Sequence, residues 1–418
     1  MKTFTSILGV LLLVTLPFRS ESQTLPSKSD EYEELPELKA SEILRDPILS
    51  GPHHKVREEV STSSGANHFM IESDVGVFEA EGNEMLVRRV DEINAIAQLK
   101  EVSRTVQFKN ALVTAAKSPL AAAKSIVTDP VKTITNVPQG LGKFMRRASE
   151  SVKGIGKKKE SSSAEGSKAE QLIGFSDTKR KIAISLGVDP YSTNAVLQKE
   201  LDGISWAAFA GGMVFKVATI PIGGGAGAAL TVTGVTKTFD DVLREKNPTD
   251  LKIMNRKILL EMGASSADTE KFLENGAFSP SAQTAFVLNL RALEGVSNRG
   301  AFVRLAGKTS SSEADAIFCV QTAKLMGTLH TGEKPLARIA LLGDFPICIA
   351  KDGTAIVALQ WDSAAYTPMA DKFARDFQAL GKDKCFVALS GIVSPRLRQE
   401  LENRGVTVED RLAPGPLK

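Results

Sequence analysis

The spacing of apolar residues along the chain changes near residue 335. Between residues 169 and 334, apolar side chains recur three and four positions apart, which is typical of helices that bury one face. The stretches NPTDLKIMNRKILLEMG, SPSAQTAFVLNLRALEG and SSSEADAIFCVQTAKLMG each open with a residue that can cap a helix and close at a glycine. The pattern predicts a helical domain over residues 169–334, with a glycine-rich apolar segment at 203–236.

The two flanking regions have β-like patterns. In residues 335–418, β-rich runs alternate with turns, and Asp352-Gly353 is a strong hairpin signal, so this region predicts a small α/β module. Residues 67–156 predict a β-hairpin that turns at Ser73–Gly76, followed by helices that begin near Glu84. The predicted fold class is therefore α+β, with a mainly helical central domain, a small C-terminal α/β module and an N-terminal hairpin-plus-helix unit.

Three further segments are predicted to lie outside these folded units. Residues 1–22 combine a basic start, an uncharged run and small residues at their end, as secretory signal peptides do. We therefore expect export through a cleaved signal, to the periplasm or the medium. Residues 23–66 are polar and partly acidic and predict a disordered leader, and residues 157–168, KKKESSSAEGSK, have the composition of a linker.

Composition and charge limit the classes of partner. The net charge of +3 over 418 residues gives no general attraction to nucleic acid, and the expected export would separate the protein from it. The three cysteines are an odd number and lie far apart, which argues against a disulfide scaffold. Buried free thiols are the simpler interpretation, although a Cys348–Cys385 bridge stays open.

The stretch GVDPYSTNAVLQKEL, residues 187–201, contains a turn followed by a helix start. Gly187 can end one helix, and Ser192, Thr193 or Asn194 can cap the next. Together with NGAFSPSAQTAFVLNL and the ending LSGIVSPRLRQELENRGVTV, this stretch resembles a family of uncharacterised exported bacterial proteins. The resemblance covers roughly residues 170–410, supports the domain organisation and implies no activity or site.

Motifs for catalysis, cofactors and metals are weak. Of the four histidines, only His330 lies in the main body, so a histidine-based triad or metal site has little to build on. Gly307-Lys308-Thr309 resembles the end of a phosphate loop, but Phe302 stands where the motif needs glycine. Gly223, Gly225 and Ala228 have dinucleotide-loop spacing, yet Pro221 interrupts the approach. The sequence therefore predicts no cofactor, no metal and no catalytic residue.

Two segments have properties suited to a membrane. Residues 217–236 contain no charged side chain. With the uncharged run before Lys216 they could form a hydrophobic hairpin. Burial inside the helical domain is the favoured alternative, because glycine, threonine and proline make the segment weakly hydrophobic. Residues 141–159 predict a basic amphipathic helix that could lie in an anionic membrane surface, and packing on its own domain with a solvated basic face is the favoured alternative. Its possible membrane contacts are Phe144, Met145, Arg146, Arg147, Val152 and Lys153.

These observations lead to one principal functional hypothesis and two alternatives. The principal hypothesis is an exported, non-enzymatic binding or structural protein of the cell envelope or the extracellular space, with an anionic membrane surface or an envelope protein as its partner and no nucleic acid. The first alternative is a membrane-active protein that docks by residues 141–159 and inserts residues 203–236. The second is a hydrolase with a carboxylate or serine site, which would require a cleft that brings together Asp189, Tyr191 or Trp361 and several acids.

Overall fold

The computed structural model describes residues 31–117, 163–216, 236–381 and 384–412, and for residues 163–172 and 236–238 it describes the backbone alone. It has an α+β fold, which confirms the predicted class. An N-terminal sheet, a helical body and a C-terminal α/β module follow one another along the chain.

The N-terminal sheet is antiparallel and is organised around its longest strand. Its elements are β1 (Leu38–Lys39), α1 (Ala40–Ile43), β2 (Ser50–Gly51), β3 (His54–Val56), β4 (Glu59–Ser63), β5 (Ala66–Ser73) and β6 (Gly76–Glu81). Strand β5 pairs with β3, β4 and β6, and the β5–β6 pair is the predicted hairpin. Phe69 and Ile71 of β5 are buried against the helix that follows β6.

The predicted disordered leader is wrong for residues 38–66. This part of the chain forms strands β1 to β4 and enters β5, whereas residues 23–30 lie outside the described residues. The hydrophobic signal is weak because several inward positions hold polar residues, such as Thr62 in β4 and His54 in β3, beside Val56 and Val60. Buried and exposed positions do alternate along β3 and β4, but half of the buried positions hold polar side chains.

Four helices form a bundle next to the sheet: α2 (Asn83–Arg104), α3 (Val106–Lys117), α4 (Ser163–Ser185) and α5 (Ala195–Gly211). Helix α2 is the helix predicted from Glu84. The predicted linker at 157–168 is wrong from Ser163 onward, since α4 begins there. Ala164, Glu165 and Lys168 favour helix strongly enough to offset Gly166. Residues 157–162 lie outside the described residues.

The helical body continues with α6 (Thr236–Glu245), α7 (Pro248–Glu261), α8 (Ser266–Leu273), α9 (Pro280–Arg291), α10 (Gly300–Thr309) and α11 (Glu313–Thr331). The predicted helix starts are confirmed. Asn247, Ser279 and Ser312 each accept a backbone N–H three residues ahead, at the starts of α7, α9 and α11. The core of this body includes Phe272, Phe278, Phe286 and Phe302, whose neighbouring rings lie 4.9–6.1 Å apart.

The C-terminal module is a mixed sheet between two helical layers. Its elements are β7 (Leu336–Leu342), β8 (Phe345–Ala350), β9 (Ala355–Leu359), β10 (Ser363–Ala364), α12 (Pro368–Gln378), β11 (Cys385–Leu389), β12 (Ile392–Val393), α13 (Pro395–Asn403) and β13 (Val406–Glu409). The sheet order is β13-β11-β9-β8-β7, with β9, β11 and β13 parallel.

The two faces of this sheet bury different neighbours. Ile356 and Ala358 of β9 face the helical body, whereas Val357 and Leu359 face α12 and α13. Because both faces are covered, the strands are almost continuously apolar, which is how parallel strands in three-layer folds usually look. The carboxyl ends of β9 and β11, at Leu359 and Leu389, point towards the N-terminal sheet, and this edge positions several of the groups described below.

Candidate functional site

The turn in GVDPYSTN lies at the centre of a buried charged network. Asp189 is 4% exposed, and its carboxylate accepts hydrogen bonds from the Tyr191 amide at 2.8 Å, the Arg88 guanidinium at 3.2 Å and the Ser281 hydroxyl at 2.5 Å. Burial raises the pKa of Asp189, and Arg88 and Ser281 oppose that rise. Asp189 therefore connects α2, the turn and α9.

A second carboxylate extends the network along α2. Glu92, 1% exposed, accepts hydrogen bonds from Arg89 at 2.7 Å, from the Asn194 side chain at 2.9 Å and from the Ser192 hydroxyl. Glu313, at the start of α11, accepts hydrogen bonds from Arg89 at 3.3 Å. Asn194 caps α5 as predicted. These contacts give the charged side chains partners within the chain, which is what burial of charge requires.

The sequence contains a signal for this network that the periodicity analysis did not use. Helix α2 is apolar on nearly every side, since Met85, Leu86, Val87 and Ala95 lie on different sides of the helix and are all buried. A helix of that kind is surrounded by protein, so its charged residues must also be buried and paired. Arg88 and Glu92 could have been predicted as members of an internal network on this ground.

Asp362 forms a second buried polar centre, just after the carboxyl end of β9. It is 2% exposed, and its carboxylate accepts the backbone N–H of Asn67 at 3.0 Å, that of Asn83 at 2.9 Å and the Gln360 side chain at 3.1 Å. Its own amide donates to the Gly65 carbonyl at 2.7 Å. One side chain thus joins the C-terminal module to the N-terminal sheet and to the start of α2.

Glu84 lies beside this centre. Burial raises the pKa of Glu84 to about 7, the nearby Lys324 charge opposes the rise, and Asp362 adds to it. Burial likewise raises the pKa of Asp362 to about 6, although its three hydrogen bonds favour the charged form. The hydrolase alternative would place Asp189, Tyr191 or Trp361 in a cleft with several acids. Asp189 and Tyr191 lie at the first centre, whereas Trp361 directly precedes Asp362 at the second centre and packs against Phe345.

The remaining sequence motifs have structural roles where they are described. His330 accepts the Leu336 amide at 3.0 Å and lies 3.1 Å from the Glu294 carbonyl. Gly307 lies inside α10, where a Cβ atom would come within 3.1 Å of the Phe272 backbone, so its motif forms no phosphate loop. Residues 221–228 lie outside the described residues. Within the described ranges, no group of three or more His, Cys, Asp or Glu side chains could hold a metal ion.

Cys319, Cys348 and Cys385 are all buried, and none of these three described cysteines forms a disulfide. Cys348 of β8 faces the helical body, whereas Cys385 of β11 faces α12 and α13. Strand β9 runs between them, which places their backbones about 9.6 Å apart, too far for a disulfide. The open Cys348–Cys385 bridge is therefore excluded in this fold.

The candidate binding surface lies on the bundle of α3, α4 and α5. Helix α4 runs antiparallel to α5, because Lys179 pairs with Asp202 at 2.6 Å and Phe175 packs against Trp206 with ring centroids 6.0 Å apart. The start of α4 and the end of α5 therefore lie at the same end of the bundle. Residues 118–162 rejoin the described chain at that end, and residues 217–235 leave from it.

Helix α3 is also antiparallel to α5. Ala115 packs with Trp206, and a Cβ on Gly211 would lie 2.2 Å from the Ala111 carbonyl oxygen, so Gly211 permits a close helix contact. The first residues of α3 thus point towards the same bundle end as Val214. Of the described part of the glycine-rich segment, 203–216, helix α5 and Met213 pack into the bundle in this way, whereas Val214 and Lys216 are exposed. Residues 217–235 lie outside the described residues.

Part of the exposed surface of this bundle is apolar and basic, and the partly exposed Asp177, one turn after Ile173 on α4, is paired with Lys181. Val106, Val113, Ile173 and Val214 are 53–71% exposed. Lys109, Lys117 and Lys216 are exposed as well. Residues 105–117, 173–176 and 203–216 contain no Asp or Glu. We call these four apolar and three lysine side chains the acid-free surface. Val106, Lys109, Val113 and Lys117 are three and four positions apart and form one stripe along α3.

The predicted membrane contacts cannot be compared with this surface directly. Phe144, Met145, Arg146, Arg147, Val152 and Lys153 all lie outside the described residues. Among the helices that the structure describes, none is long and apolar enough to cross a bilayer. Sequence analysis missed the α3 stripe, although alternating valine and lysine at helical spacing in a stretch without acids could have indicated it.

Comparison with known proteins gives no relative: no family model, no curated protein and no solved structure matches the chain. The resemblance to exported bacterial proteins therefore stays a prediction.

Proposed function

We propose that this is an exported, non-enzymatic binding protein that docks reversibly on anionic membrane surfaces through its acid-free surface. The observation that carries the proposal is the combination of Val106, Val113, Ile173 and Val214 with Lys109, Lys117 and Lys216 on stretches without a single acid. Apolar side chains can enter the headgroup region while lysines on the same stripe reach lipid phosphates.

The magnitudes fit reversible attachment. Each lysine near an anionic leaflet contributes about 1 kcal/mol, so Lys109, Lys117 and Lys216 together contribute about 3 kcal/mol. Complete burial of a valine or isoleucine contributes at least about 1.5 kcal/mol, and partial insertion of four such side chains contributes a few kcal/mol more. The sum is comparable to one myristoyl chain, which holds a protein to a membrane only transiently.

The neighbouring predictions agree with this orientation. The predicted basic helix, residues 141–159, ends shortly before α4 begins at Ser163, and the uncharged residues 217–235 follow directly after Lys216. Both candidate membrane segments thus adjoin the same bundle end. The predicted signal peptide, residues 1–22, would deliver the protein to an envelope or extracellular location where lipid headgroups are accessible. Sequencing the amino terminus of the mature protein tests that export.

Vesicle flotation tests the docking proposal. The full chain without its signal is mixed with phosphatidylglycerol vesicles or with neutral phosphatidylcholine vesicles, and the bound fraction is measured at low and high salt. We expect binding to the anionic vesicles alone. Binding should be about 100-fold weaker in the triple variant Lys109→Gln, Lys117→Gln, Lys216→Gln, because each lysine contributes about 1 kcal/mol. The double variant Ile173→Ser, Val214→Ser should also weaken binding, because it removes apolar side chains that would enter the headgroup region.

Matched controls use the same changes elsewhere. Lys55→Gln, Lys257→Gln and Lys351→Gln remove three exposed lysines from other parts of the molecule, and Ile253→Ser changes an isoleucine that is 61% exposed on α7. These variants should bind as the unaltered protein does. If both triple lysine variants weaken vesicle binding equally, the effect comes from net charge alone, and the assignment of the acid-free surface is overturned.

A further inference from the structure

Independently of the proposed function, the segment before β1 is held by the C-terminal module like a bound peptide. The Glu33 amide donates to the Tyr366 carbonyl at 2.8 Å, and the Tyr366 amide donates back to the Glu33 carboxylate at 2.6 Å. The Ser394 hydroxyl also donates to Glu33, at 2.5 Å. Arg396 donates to the Glu31 carbonyl at 2.5 Å. Glu33 is thus bound through both its backbone and its side chain, and Glu31 through its backbone carbonyl.

The middle residue of the segment makes an aromatic contact. The Tyr32 ring lies 5.5 Å from the Tyr366 ring, centroid to centroid. The Arg396 and Arg404 guanidinium groups lie over the Tyr366 ring at 5.2 and 5.9 Å. The receiving groove therefore offers a backbone edge, an aromatic surface and cationic groups, and Ser394 at its end is the cap of α13. Such a groove fits a short peptide with an aromatic side chain next to a carboxylate.

The occupying segment is separable from the fold it precedes. Residues 34–37, which include Pro36, connect it to β1, and both Glu34 and Leu35 are exposed. Glu31 and Glu33 flank Tyr32, so the groove is filled by a sequence that is both acidic and aromatic. These contacts are made to the C-terminal module, and Tyr366 lies 333 residues from Glu33 along the chain. A peptide from another molecule could therefore make the same contacts.

We infer that the C-terminal module carries a recognition groove for short acidic peptides, formed by Tyr366, Ser394 and Arg396, and that the chain's own residues 31–33 fill it as an internal competitor. A peptide from another protein with an aromatic residue followed by glutamate is the class of ligand that fits, since Tyr32 and the Glu33 carboxylate make the side-chain contacts. The tethered segment has an effective concentration in the millimolar range or above, so a free peptide binds appreciably only when that segment is displaced or altered.

The test uses the full chain without its signal and a fluorescent peptide of residues 29–37. The variant Glu31→Gly, Tyr32→Ser, Glu33→Gly empties the groove, and Glu33→Gln weakens the internal contact while keeping the backbone bonds. Fluorescence anisotropy should show the peptide bound at least tenfold more tightly by the triple variant than by the unaltered chain. Thermal unfolding checks that both variants are folded.

Two further measurements locate the bound peptide. Arg396→Gln in the triple-variant background should weaken peptide binding severalfold, whereas Lys351→Gln removes a charge at the opposite edge of the sheet and should leave binding unchanged. A peptide with glutamine at the Glu33 position should bind more weakly than the natural one. The inference is overturned if the folded triple variant binds no peptide at about 1 mM, the scale of a short tether's effective concentration, or binds it no better than the unaltered chain.

Discussion

Asp362 provides a sharp test of how the N-terminal sheet and the C-terminal module are joined. In Asp362→Ala, the amides of Asn67 and Asn83 and the Gln360 side chain lose their acceptor inside the protein. A buried donor left without a partner costs about 1–3 kcal/mol. Removal of a desolvated charge offsets part of this loss, so we expect Asp362→Ala to lower the free energy of unfolding by about 2–5 kcal/mol at pH 8.

Asp362→Asn separates the hydrogen bonds from the charge. The asparagine oxygen can take the place of Oδ2, which receives both backbone amides, and Gln360 can turn its amide to accept from the new NH2 group. Because burial disfavours the carboxylate, loss of the charge compensates for any imperfect geometry. We expect Asp362→Asn to change stability by less than about 1 kcal/mol at pH 8.

Urea denaturation followed by tryptophan fluorescence measures both effects, since Trp361 adjoins the altered residue and Trp206 reports on the bundle. The exposed Asp344→Ala in the β7–β8 turn serves as the control, with an expected change below about 0.5 kcal/mol. Equal destabilisation by Asn and Ala would refute the reasoning, because it would mean that the negative charge, and not the accepted hydrogen bonds, stabilises the contact.

Three other predictions follow from the buried groups. Arg88→Met leaves Asp189 without its cation and should lower the free energy of unfolding in urea by about 3–5 kcal/mol. Arg88→Met combined with Asp189→Asn should lower it by less than the single variant. As a control, Arg57→Met at an exposed site should lower it by less than about 1 kcal/mol. The raised pKa of Glu84, about 7, means that the folded state holds this proton more tightly than the unfolded state. The free energy of unfolding should therefore fall by up to about 3 kcal/mol as the pH rises from 4.5 to 8. Glu84→Gln should flatten that part of the stability profile, and an unchanged profile would contradict the assignment. Burial raises the pKa of the Cys348 thiol to about 12, so thiol reagents should label it only on unfolding, and the melting temperature should be the same with and without reductant.

The sequence predicted those parts of the fold that depend on local chemistry. The caps at Asn194, Ser279 and Ser312 and the Asp352-Gly353 hairpin are short-range features, because each is decided by a few neighbouring residues. The N-terminal strands were missed because their inward positions hold Thr62 and His54, which give no apolar alternation. What surrounds a strand is decided by distant parts of the chain, which a local pattern does not contain.

The buried centres were missed for a related reason. Asp362 follows a strand and could equally be a turn residue; its role arises from Asn67 and Asn83, which approach it only in the folded protein. Asp189 was placed correctly in a turn, but its partners Arg88 and Ser281 are about 100 residues away on either side. The acid-free surface, by contrast, depends on composition and helical spacing, so it was accessible to sequence reasoning.

The distance along the chain between Asn67 and Asp362 also affects the timing of folding. The amide and its acceptor are 295 residues apart, so a ribosome that adds roughly 5–20 residues per second makes the acceptor at least about 15 seconds after the donor. Throughout that interval the N-terminal sheet lacks its contact with Asp362 of the C-terminal module. The contact between the N-terminal sheet and the C-terminal module can therefore form only after most of the chain, through residue 362 of 418, has been synthesised.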